Sequence, residues 1–119
     1  MLRYLTLGVA GLGLAASALA GTQTFTFKSD NPSGTGEHMG TVTLTSTSET
    51  NIYDVVWTIP EGSLKGIAFV DEGSDTAYVS YGLEANPGLV VLREGKERDW
   101  VGKWYQAGRS GNEVWTVAK

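Results

Sequence analysis

From Thr22 onward the chain alternates apolar and polar residues with a period of two, and clusters of Gly, Pro, Asn, Asp and Ser interrupt the alternation at short intervals. This pattern constrains the fold more than any other feature, because successive side chains of an extended strand point to opposite faces. Over 22–28, Phe25 and Phe27 share one face while Thr24 and Thr26 take the other. Over 40–45, Val42 and Leu44 oppose Thr41, Thr43 and Thr45. The signal is clearest over 52–59, where Tyr53, Val55, Trp57 and Ile59 line one face and Asp54 and Thr58 mark the other. Further strands are expected over 63–70, 76–81, 88–94, 99–105 and 112–117, with 29–36 and 108–111 read as turns. The near-continuous run Leu89-Val90-Val91-Leu92 predicts burial on both sides of its strand, or an interface with a second copy.

No segment after residue 20 carries apolar residues at helical spacing with capping residues, so no helix is expected. Eight short strands with tight connections form a meander. Left open, the meander would expose two unpaired edges, and closing the eighth strand onto the first removes both. The predicted fold is therefore all-β: an eight-stranded antiparallel up-and-down meander barrel. The interior of such a barrel is filled by side chains or admits one small ligand.

The first twenty residues read as a cleaved signal peptide rather than as fold. Arg3 supplies a positive start, 5–16 form a short apolar run, and Ala18-Leu19-Ala20 ends it in the A-x-A pattern. The apolar run is too short to span a bilayer, so no membrane anchor is expected. Residues 21–119 then form a single β-barrel domain that is periplasmic or secreted. The formal charge of −4 becomes more negative once Arg3 is removed, and charges of both signs are scattered, which argues against nucleic acid as a partner. With no Cys there is no disulfide framework, so packing and backbone closure must hold the domain.

The large side chains available for that packing are all four Trp, Tyr53, Tyr78, Tyr81, Tyr105 and all three Phe. Each buries about 150–250 Å². Tyr53 and Trp57 are four residues apart, as are Trp100 and Trp104, so each pair shares a strand face. Such rings can fill the core, form an apolar floor at one barrel mouth, or make an outward sticky patch.

Catalytic and metal-binding patterns are sparse. His38 is the only histidine, and Gly108-Arg109-Ser110-Gly111 fails the G-x-S-x-G spacing of a nucleophile elbow. Asp71, Glu72 and Asp75 have oxygens for Ca²⁺ but lack EF-hand spacing. The glycines at 34, 36 and 40 do not match G-x-G-x-x-G, and Gly95-Lys96 begins no phosphate loop. Glu61, Glu84 and Glu113 are carboxylates that sequence cannot pair across a cleft. A hydrolase or isomerase would need both His38 and Glu113. No cofactor is expected.

The succession Asn31-Pro32-Ser33-Gly34, Gly40-Thr41-Val42-Thr43-Leu44, Tyr53-Asp54-Val55-Val56-Trp57-Thr58-Ile59, Gly66-Ile67-Ala68, Tyr81-Gly82, Gly102-Lys103-Trp104 and Gly111-Asn112-Glu113 resembles small exported bacterial β-barrel proteins of avidin-like and lipocalin-like type. The resemblance implies the meander barrel, and no biotin-site residue carries over. The expectation is an exported, non-enzymatic binding module. It takes a small, largely apolar ligand at a mouth lined by Tyr53, Trp57, Tyr81, Trp100 and Trp104. The alternative is a protein-interaction or inhibitor module that meets an exported partner through loops 29–38 and 82–87.

Overall fold

The computed structural model describes residues 21–30, 36–82, 86–95 and 97–117. The expected signal peptide lies outside the described residues, as do Asn31, Pro32, Ser33 and Gly34 of the first turn, the centre of the loop before residue 88, and Lys96. Eight strands follow one another: β1 (Thr22–Asp30), β2 (Glu37–Ser46), β3 (Ile52–Ile59), β4 (Gly62–Asp71), β5 (Thr76–Tyr81), β6 (Gly88–Glu94), β7 (Trp100–Gln106) and β8 (Arg109–Val117). Each pairs antiparallel with its sequence neighbours, and β8 returns to pair with β1, giving a closed barrel. At this seam Phe27 lies opposite Trp115 and Ser29 opposite Glu113. The Asp30 carboxylate braces the seam by accepting the Asn112 backbone N–H at 2.8 Å and its side-chain amide at 3.2 Å.

The period-two pattern is realised as an inside and an outside. Phe25, Val42, Val55, Val79, Val90, Leu92 and Trp115 are buried in one core that fills the lumen. Connections β1–β2, β3–β4, β5–β6 and β7–β8 gather at one end of the barrel, here the mouth, while the other three connections gather at the opposite end.

Three expectations are corrected. Ser29, Asp30, Glu37, His38 and Met39 belong to strands, not to a loop: Ser29 pairs with His38 and Asp30 with Glu37. The ladder runs on through polar residues because Ser29 and His38 face an opening rather than a dry core. Likewise 109–111 lie in β8, and the hairpin turns at Ala107-Gly108, both with positive φ (52° and 78°), the geometry of a tight two-residue turn whose twist matches its strands. Strand β6 is not buried on both sides. Val90 and Leu92 point inward, whereas Leu89 stays 46% exposed among outer-face apolar residues that include Tyr78 and Tyr105.

Candidate functional site

A cavity of about 150 Å³ opens at the mouth. Every strand contributes to its wall. Phe27 and Ser29 come from β1, His38 from β2, and Trp57 and Ile59 from β3. Leu64, Tyr81 and Val90 follow from β4, β5 and β6, and Trp104, Gln106 and Glu113 complete the ring from β7 and β8.

Glycines keep this end from filling. Phe27 faces Gly40 across the β1–β2 ladder, Tyr81 faces Gly88, and Trp104 faces Gly111. A Cβ on Gly88 would fall onto the Tyr81 ring. One on Gly111 would sit 2.6 Å from Trp104 Nε1 and 2.8 Å from the Asp30 Cβ, and one on Gly66 only 3.1 Å from the Trp57 ring. Each large ring therefore lies over bare backbone of the adjacent strand, and the space it would otherwise occupy in the lumen stays open.

Glu113 is the buried carboxyl of the site. It is 4% exposed, opposite Gly102 of β7. Its Oε2 accepts the Trp115 indole N–H at 2.7 Å and the Trp57 indole N–H at 3.1 Å. Burial pushes its carboxyl pKa above the ordinary value, while the hydrogen bonds from Trp115, Trp57 and Ser29 pull it back. The Tyr81 hydroxyl is pushed up to about 12, first by burial and then by the negative charge of Glu113. Trp57 packs edge-on against Tyr81 (ring centroids 5.5 Å apart) and Trp115 (6.2 Å), so the carboxylate, both indole donors and Tyr81 form one rigid unit.

Of the five aromatic residues expected at a mouth, Trp57, Tyr81 and Trp104 line this cavity. Tyr53 and Trp100 do not. They share the inward faces of β3 and β7 but lie near the opposite end, buried in the core. Four residues of extended chain span about 13 Å, so a shared face does not mean a shared depth. Two of the indole N–H groups are committed to Glu113, and that of Trp104 is buried with no acceptor.

Phe27, Ser29, Gln106 and the central role of Glu113 were not foreseen. Counting back by twos from the inward Trp115 places Glu113 on the lumen side, which is the one signal that could have found it. His38, Ser29 and Glu113 stand side by side on β2, β1 and β8. The serine occupies the middle place, whereas an acid–base relay would need the imidazole there. The Gln106 side-chain amide donates to the Asn86 carbonyl, and the Asn86 N–H donates to the Gly82 carbonyl at 3.0 Å, tying the β5–β6 connection to the rim. The described parts of loops 29–38 and 82–87 both border this mouth.

Among the described residues no group of three or more His, Cys, Asp and Glu is placed to hold a metal. The Asp71 carboxylate is engaged in its own turn, accepting the Gly73 N–H at 3.1 Å and the Ser74 hydroxyl at 2.8 Å. No protein-family model, curated protein or solved structure matches the chain.

Proposed function

We propose that this chain is an exported, non-enzymatic binding module that receives a small, largely apolar guest in the mouth of its barrel. The observation that carries this reading is the cavity of about 150 Å³ kept open by rings laid over glycines. A cavity of that size admits one benzene-sized ring. Core packing alone gives no reason for Tyr81 to face Gly88 and Trp104 to face Gly111, since larger partners would bury more apolar surface.

Native mass spectrometry of protein purified from its own host tests the reading, together with titration of toluene followed by tryptophan fluorescence. A retained small molecule, or saturable quenching that a Val90→Phe cavity-filling variant abolishes, is expected. Absence of both sinks the proposal. Export is tested separately by cell fractionation and by sequencing the mature N-terminus, with Gly21 expected first.

A further inference from the structure

Among the described residues that line the cavity, Glu113 contributes a carboxyl group and none is Lys or Arg; the other polar groups are Ser29, His38, Gln106 and the Tyr81 hydroxyl. Its carboxyl group already receives hydrogen bonds from the Trp57 and Trp115 indoles and from Ser29, yet a carboxylate offers about four acceptor positions in all. Around it stand the rings of Phe27, Trp57, Tyr81 and Trp104. Ring faces carry negative electrostatic potential, so they attract a cation and repel an anion, as the carboxylate does.

The folded chain has also met the largest obstacle to a buried ion pair in advance. Moving a carboxylate out of water is costly, and Glu113 is already desolvated before any guest arrives. A cation entering beside it gains the attraction without desolvating the carboxylate again. A neutral apolar guest would leave the buried carboxyl without a charged partner.

Resting on the ligand-binding reading above, we propose that the guest is a small organic ammonium, its charged head against Glu113 and its hydrocarbon part against Trp57, Tyr81 and Trp104. The cavity volume limits the hydrocarbon part to a single ring or a short alkyl chain.

Benzylammonium, benzyl alcohol and toluene share a ring and differ in head group, so their titration into the intact chain by calorimetry isolates the charge. Benzylammonium should bind at least about tenfold more tightly than benzyl alcohol. Glu113→Gln should reduce its affinity by a similar factor. If that variant fails to fold, cyclohexylammonium against cyclohexanol on the unaltered chain repeats the comparison. A ratio near one, or a preference for the neutral compounds, overturns the ammonium assignment and leaves the binding module standing. Failure of all of these compounds to bind overturns both.

Discussion

At the scale of single residues, Glu113 ties stability to pH. Its carboxyl pKa in the folded chain lies above the ordinary 4.5, so between those two values the folded chain holds a proton that the unfolded chain has released. The stabilising effect is complete below about 4.5 and is lost as pH rises through the raised value. Within that window the loss approaches about 1.4 kcal/mol per pH unit. Urea midpoints of wild type and Glu113→Gln, measured over a pH series, should therefore diverge, with the variant gaining on wild type as pH rises. A difference that stays constant with pH would refute this. Glu113→Leu should behave otherwise, since it strands the Trp57 and Trp115 donors at about 1–3 kcal/mol each at every pH. The inward direction of Glu113 was legible from its spacing to Trp115, but its partners were not: Trp57 lies 56 residues away, and only barrel closure brings it within reach.

At the scale of elements, strand existence was legible and strand ends were not. β3, β5 and β6 have the expected bounds because Pro60, Asp75 and the 82–87 segment delimit them with unambiguous turn chemistry. β1, β2 and β8 run longer than their apolar patterns: the β1–β2 ladder continues through Ser29 and His38, which face the open mouth, and β8 continues through Ser110, exposed on the outer face opposite Tyr105. The β7–β8 hairpin hides its turn for a related reason: Ala107 takes φ 52° where Asn is the residue that tolerates such geometry best. Ala107→Asn should accordingly stabilise the chain by about 0.5 kcal/mol, read as a rise in thermal midpoint. Gly88→Ala should do the reverse. Its new methyl collides with the Tyr81 ring, which must swing into the cavity, so a loss of about 1–3 kcal/mol should accompany weakened ligand uptake. Retained uptake in Gly88→Ala would show that the ring does not define the space.

At the scale of the whole molecule, closure was legible because an eight-strand meander has little alternative to sealing its edges, and β1 does pair with β8. What strand pattern cannot encode is depth along the barrel axis, which is why Tyr53 and Trp100 were expected beside Trp57 and Trp104 yet lie near the far end. That same separation turns two tyrosines into reporters of cooperativity. Tyr53 and Tyr81 sit toward opposite ends, and the hydroxyls of both are pushed up to about 12, chiefly by burial, with Glu72 adding to the effect at one and Glu113 at the other. A raised phenol favours the folded state fully below the unfolded value of 10.0, and that contribution is lost as pH rises toward about 12. If the barrel is one cooperative unit, closed around its full circumference, neither end can release its tyrosine alone. Tyrosinate absorbance in Tyr53→Phe and Tyr81→Phe, each compared with wild type, should then place both late-titrating groups at the same pH, coincident with loss of the far-ultraviolet strand signal. Ionisation of Tyr81 well before that loss would mean that the mouth opens independently of the packed half, and ligand entry would then be governed by local opening rather than by the static dimensions of the cavity.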